Sequence, residues 1–347
     1  MKKKTVLYKY PMMAQMSYDQ QELLDQLPHL DFSHFHSAFK SGFNASINAM
    51  EEKALRNAAL YFPAEDVKML GDMGGLVARM FYKASDERGA VLLDIFVFAF
   101  ITDDLLEKPE LRRHNENYRK LQILILKLVR NESFPEKDYP EWRNLITFSR
   151  PIFSKFQNLA SPTLFHRFAF QYQEYLQGVD WEASIRSPNP VPDIETCKHV
   201  KRHLSGGQVA FVLAEFSREI EVPIAVRAHP GMQKFCSLAS DLASYDNDIF
   251  SLKKEVRDGV VCNTILFLYL HGITKSLQAA VDRVVHMRKQ TEREIISLIN
   301  DLPQFGRDNA VAQEYISAIT RCIGGNFEWC SKSTRYHVAS SLPHSKL

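Results

Sequence analysis

The chain has 347 residues, 45% hydrophobic and 24% charged, the balance of a globular protein rather than a disordered or fibrous one. Its 43 lysines and arginines face 41 aspartates and glutamates, a net charge of +2, which gives no electrostatic reason to expect nucleic acid or a membrane surface as a partner. No stretch reaches the roughly 18 to 20 apolar residues of a membrane span, and the start, Met1-Lys2-Lys3-Lys4-Thr5 followed by Tyr8-Lys9-Tyr10-Pro11, lacks the apolar segment of a signal peptide.

Helix signals dominate. Residues 1 to about 45 are the least regular and read as a strap or cap over the helical bundle, or as partly disordered. Glu51 to Tyr61 alternates charged and apolar residues at helical spacing. Val91 to Leu106 is apolar almost all round, so this helix belongs at the centre of the fold. Leu111 to Val129 is amphipathic, and Phe153 to Gly178 reads as one long helix rich in Phe and Tyr. Val200 to Ile220, Gln233 to Arg257, Asn263 to Leu270, Ser276 to Leu302 and Asn309 to Ser331 complete the set. Breaks fall at Ser187-Pro188-Asn189-Pro190-Val191-Pro192-Asp193, Glu221-Val222-Pro223, His229-Pro230-Gly231 and Asp258-Gly259. No alternating β-branched run is bounded by hairpin turns. The expected architecture is one all-α domain, an α-helical bundle over residues 46–340, preceded by the segment 1–45. The five cysteines (Cys197, Cys236, Cys262, Cys322, Cys330) form no CxxC pair and read as small buried thiols of a reducing, cytoplasmic compartment.

Two polar clusters carry chemistry. Asp103-Asp104-Leu105-Leu106-Glu107 comes directly after the most apolar helix. Asp103 and Glu107 stand at i and i+4 and share a helix face, with Asp104 beside it. Such like charges repel unless a hard cation bridges them, and carboxylate oxygens suit Mg²⁺. Alone, the string fits a solvated helix end equally well. Its place at the end of a very apolar helix is that of the mouth of a greasy pocket. In the second cluster Asn247, Ser251 and Glu255 stand at i, i+4 and i+8, three oxygen ligands along one helical stripe. A polar surface stripe would show the same spacing. Neither cluster has a His or Cys ligand, and together they read as two sides of one diphosphate clamped by magnesium.

These residues resemble the motifs of a class I terpene synthase of the microbial single-domain type. Asp103-Asp104-Leu105-Leu106-Glu107 resembles that family's aspartate-rich motif. Asn247-Asp248-Ile249-Phe250-Ser251-Leu252-Lys253-Lys254-Glu255 matches its second motif, NDxxSxxxE, at all four fixed positions. Arg202 lies 45 residues before Asn247, near the place of the family's diphosphate-sensing arginine. Ser205 and Gly206 come next, where the family breaks a helix to point a carbonyl into the pocket. Thr334-Arg335-Tyr336 resembles the family's RY pair, with Trp329 upstream. The likeness spans residues 100 to 336, about two thirds of the chain. There are two departures. Glu107 stands where Asp is usual, and Ser205 stands where Asp is frequent, which puts a link from sensor to pocket in doubt.

The resemblance implies a bundle of the class I terpenoid synthase type and a carbon–oxygen lyase acting on phosphates. It would bind a linear prenyl diphosphate with three Mg²⁺ ions, ionise it and cyclise the carbocation under a closing lid. Asp103, Asp104, Glu107, Asn247, Ser251 and Glu255 would be metal ligands. Arg202, Arg335 and Tyr336 would be diphosphate donors, and Gly206 would face the pocket. Lys254 is a further candidate contact, although a lysine beside Glu255 is equally at home on a surface. Aromatic faces stabilise cations, and the candidates are Phe96, Phe100, Phe170, Phe211 and Trp329. Phe100, one turn before Asp103, and Trp329 stand out among them. Ala99, Gly206-Gly207, Cys236, Ser237, Ala239, Ser240, Ala243 and Ser244 suggest a roomy cavity and lean toward a C20 geranylgeranyl over a C15 farnesyl substrate. Helix packing would demand the same small residues. A prenyl chain-elongating synthase would carry a second aspartate-rich motif where this chain has Asn, Ser and Glu. A non-catalytic helical interaction protein with remnant motifs is the alternative of another class. Monomer and homodimer both stay open.

Overall fold

A computed structural model describes residues 20–32, 35–108, 111, 115–185, 193–258 and 262–337. Among these there are helices and turns and no strand. Residues 1–19, 33–34, 109–110, 112–114, 186–192, 259–261 and 338–347 lie outside the described residues, and with them most of the break expected at 187–193 and the Gly259 expected to end a helix. In chain order the helices are α1 (Gln20–Gln26), α2 (Ala45–Ala49), α3 (Glu51–Ala58), α4 (Ala64–Met69), α5 (Met73–Met80), α6 (Asp86–Glu107), α7 (Asn115–Val129), α8 (Arg143–Leu159) and α9 (Pro162–Ile185). They continue with α10 (Ile194–Leu204), α11 (Gly207–Arg218), α12 (Ile224–Arg227), α13 (Pro230–Asp258), α14 (Thr264–Leu270), α15 (Leu277–Asp301), α16 (Asn309–Lys332) and α17 (Thr334–His337). No described helix is long and apolar enough to cross a membrane.

The helix with apolar residues on every side is central, as expected. The Ser85 hydroxyl accepts from the Arg88 N–H at its start, and Asp86 and Glu87 face the positive end of its dipole. Leu92, Ile95, Val97 and Phe98 are essentially inaccessible, because α2, α3, α5, α8 and α11 pack around α6. Helix α13 forms the second spine and contacts α10, α11, α14, α15 and α16. The five cysteines are all buried and unpaired with one another.

One helix expected to be continuous is broken, and a second divides where a break was expected. The run from Phe153 to Gly178 divides at Ala160-Ser161. The Ser161 hydroxyl accepts from the Leu164 N–H at 3.2 Å, and Pro162 takes the first helical position, where no N–H is needed. The run from Val200 to Ile220 divides at Gly206, whose φ of +63° suits a residue without a side chain. Gly207 then lets α11 close on α13, since a Cβ there would lie 2.8 Å from the Ser240 hydroxyl.

The described part of the N-terminal segment lies along the far side of the bundle. The Gln20 amide donates to the carbonyls of Val256 and Arg257. Leu23, Leu27 and Phe35 are buried with residues of α13, α14 and α15. Arg288 on α15, fully buried, pairs with Asp246 and Glu292 and donates to the His36 carbonyl. It lies against the paired rings of Phe35 and Phe327. Further on, Arg321 on α16 holds the carbonyls of Lys40 and Ser41.

Candidate functional site

A cavity of about 290 Å³ is enclosed by α5, α6, α9, the α10–α11 break, α13, α16 and α17. Leu76, Met80, Ile95, Phe96, Ala99, Phe100, Phe211 and Trp329 line its apolar part, and Asp103, Glu107, Glu182, Asn247, Ser251, Lys254, Glu255, Arg335 and Tyr336 line its polar end. The two clusters read from the sequence thus lie on opposite walls of one chamber. α6 carries the first stripe and α13 the second.

The acidic wall is electrostatically crowded. Burial lifts the Asp103 carboxyl, the Tyr175 hydroxyl opposes this by donating to Oδ1 at 2.5 Å, and Asp104 and Glu182 push it further up. Burial and then Asp103 push Glu107 up to about 8, against the pull of the Lys254 ammonium. On the facing wall burial pushes Glu255 up to about 7, opposed chiefly by Lys201. Carboxyls held above their ordinary range by burial and by one another form a charge arrangement that a divalent cation relieves.

The donors suit such an ion. All are oxygens, the hard ligands Mg²⁺ takes. The Asn247 amide nitrogen donates to the Tyr336 hydroxyl at 3.0 Å, which turns the amide oxygen away from that partner. Among the described residues no three acidic, histidine or cysteine side chains converge to hold an ion alone, so a cation here completes its shell with water or ligand oxygens.

The seam between the walls is made by the C-terminal pair. Arg335 donates to Asp104 Oδ1 at 2.8 Å and to the Met69 carbonyl at 2.9 Å, and lies over the Phe100 ring. Tyr336 is buried edge-on to Trp329, whose indole N–H donates to the Asp72 carbonyl at 2.5 Å. Lys254 lines the cavity rather than the surface. Asp104 does not reach the lining and is held by Arg335.

The structure departs from the sequence reading at Arg202 and Phe170. Arg202, assigned as a diphosphate donor, is absent from the lining. Its guanidinium forms a two-point pair with the buried Asp241, at 2.7 and 2.8 Å, while its neighbour Lys201 faces the chamber. The helix break at Gly206 is present and Gly206 lines the cavity, while its carbonyl accepts from the Ala210 N–H at 3.0 Å as the first bond of α11. Phe170 is 55% exposed on the outer surface of α9 and stabilises no cation in the cavity.

Glu182, Tyr175 and Lys201 were missed by sequence reasoning. Glu182 is buried at the polar end, within electrostatic reach of Asp103 and Glu107. The helix carries Glu174, Asp180 and Glu182 alike, so no local signal singles out Glu182.

Residues 94–294 match the family model for terpene synthase family 2, C-terminal metal binding. The chain is 58% identical to Terpene synthase 3 of Physarum polycephalum over 93% of this chain and 91% of that protein. It is 29% identical to Sesquiterpene synthase Agr1 of Cyclocybe aegerita over 54% of each. Among solved structures, germacradien-4-ol synthase from Streptomyces citricolor matches with a TM-score of 0.72 over 87% of this chain and 99% of that one, at 18% identity, a likeness of fold.

Proposed function

The chain belongs to the terpene synthase family, and from that premise we propose that it is a cyclase of farnesyl diphosphate working with three Mg²⁺ ions. Membership makes it an all-α enzyme of the class I terpenoid synthase type, acting on a prenyl diphosphate with a divalent metal. The observation that carries the proposal is the pair of oxygen stripes facing each other across one end of an aromatic chamber.

The C15 chain length replaces the lean toward C20. That lean rested on small residues in α13, and most of them serve packing. Gln208 of α11 donates to the Cys236 carbonyl and the Ser240 hydroxyl, and Gly207 abuts Ser240. Only Ala243 and Ser244 of that set line the cavity. A volume of about 290 Å³ lies at the small end of ligand pockets, roughly 300 to 1,000 Å³. A sesquiterpene synthase among the relatives agrees with the shorter chain.

Asp103 and Glu107 would hold a cation on one wall with the buried Glu182 beside them, and Asp104 would join them once Arg335 turns to the diphosphate. Asn247, Ser251 and Glu255 would hold one on the other. When bound, Mg²⁺ draws charge from the diphosphate oxygens and so favours their departure. Arg335 and Tyr336 sit at the seam to donate to those oxygens as the C–O bond to the prenyl carbon breaks. Lys254 adds a charge between the stripes. Arg202 would reach a phosphate only by giving up its pair with Asp241. Phe96, Phe100, Phe211 and Trp329 then present ring faces and exclude water from the carbocation. Residues 46–340 form the catalytic domain in this reading, and residues 1–45 a strap across it.

Incubation with geranyl, farnesyl and geranylgeranyl diphosphates plus Mg²⁺, with products weighed by mass spectrometry, tests this. A cyclic C15 product is expected. Turnover of the C20 substrate alone overturns the chain length. Longer linear products on adding isopentenyl diphosphate would identify a chain-elongating enzyme. Asp103→Ala must abolish product while the helical fold persists.

A further inference from the structure

The second oxygen stripe is backed by a buried network that its motif does not include. Asn263 is 1% exposed. Its amide oxygen accepts from the Ile265 N–H at 2.9 Å and so caps α14. Its amide nitrogen has two hydrogens, and both are used. One goes to the Asp248 carbonyl at 2.7 Å and the other to Glu255 Oε2 at 2.7 Å. Behind it the Asp248 carboxylate, wholly buried, pairs with Lys201 Nζ at 2.7 Å and accepts from the Thr264 N–H at 3.0 Å. Lys201 also donates to the Cys262 carbonyl at 3.0 Å. Three partners therefore fix the plane of one amide. That amide holds one oxygen of Glu255, a side chain that lines the cavity.

We propose that Asn263 is the positioning residue of the second stripe: it orients Glu255 toward a divalent cation, with the Lys201–Asp248 pair anchoring the start of α14 from which it reaches. This rests on Glu255 being a metal ligand. The competing role is a plain helix cap. Serine and threonine cap helices comparably, but neither spans the distance to Glu255.

The two roles separate in Asn263→Ser and Asn263→Thr. With the full chain, thermal stabilisation by inorganic pyrophosphate is measured against Mg²⁺ concentration, without turnover, for both variants and for Glu255→Gln. Mg²⁺ dependence of farnesyl diphosphate turnover is read alongside. Loss of a group that orients a metal ligand typically weakens metal binding about ten- to a hundredfold. Both variants should stay folded without metal and need that much more Mg²⁺ in both assays. A lower metal-free melting temperature with unchanged Mg²⁺ half-saturation would make Asn263 a cap only and overturn the proposal. If Glu255→Gln shifts the half-saturation while the Asn263 variants do not, the proposal alone fails. If Glu255→Gln shifts nothing, the reading of Glu255 fails with it.

Discussion

Tyr175→Phe removes one oxygen atom from the cavity wall, and its effect can be worked out in advance. The Tyr175 hydroxyl donates to Asp103 at 2.5 Å and is what most opposes the upward pressure on that carboxyl from burial, Asp104 and Glu182. A hydrogen bond to an ionised group contributes about 1.5–3 kcal/mol, or roughly one to two orders of magnitude in an equilibrium constant. Phenylalanine keeps the ring and its contact with Tyr172. Asp103 then keeps its proton to higher pH, and a cation must displace it. The Mg²⁺ concentration for half-maximal turnover should rise about tenfold or more, and the defect should shrink as pH rises, because the proton leaves unaided. Steady-state product formation across a grid of Mg²⁺ and pH measures both. Superimposable Mg²⁺ curves for variant and parent at every pH would refute the reasoning.

Asp94 on α6 is pushed up to about 6 by burial, against Lys155 and Lys53, whereas a free aspartate titrates near 3.9. Its contribution to stability is therefore intact below about pH 4 and lost as pH rises through 6, so Asp94→Asn should stabilise the chain by about 2–3 kcal/mol at pH 8 and by nothing at pH 4; urea melts at the two pH values check this. Ala99 lines the cavity four residues before Asp103, and Ala99→Leu should lower farnesyl diphosphate turnover about tenfold or more through 1–3 kcal/mol of overpacking while sparing geranyl diphosphate, as parallel kcat/KM measurements would show. Burial pushes Cys197 up to about 11 and Cys236 and Cys322 up to about 12, so these thiols stay protonated and unreactive. A thiol reagent at pH 8 should count none of the five in the native chain and all five after denaturation, and stoichiometric labelling of the native chain would contradict the burial.

The sequence made the helical bundle legible because its long helices follow the 3.6-residue period. It placed both oxygen stripes because i, i+4 and i+8 spacing is a local property of one helix. It failed where meaning depends on what another helix brings. Glu182 looks like Glu174 and Asp180 on the same helix until folding sets it near Asp103. Arg202 and Lys201 are adjacent cations with the same local pattern, and only Asp241 and Asp248 on α13 decide which one turns from the cavity and which toward it. Phe170 and Phe96 are indistinguishable as letters, yet one faces solvent and the other the chamber. The missed break before Pro162 is different, since Ser-Pro at a helix start was readable and was overridden by the apolar run across it.

Arg335, the arginine at the seam of the cavity, already holds a carboxylate, that of Asp104. The donor that would meet a diphosphate is thus neutralised in advance. An entering anion therefore trades places with a carboxylate instead of with water, and the trade alone leaves the freed carboxylate in need of a new counterion. Metal ions arriving with the diphosphate supply it. Occupancy thus behaves as a logical conjunction, in which neither bare phosphate nor bare cation settles the site but the two together do. For a catalyst that generates a carbocation, such a rule confines the hazardous step to a chamber that is fully loaded.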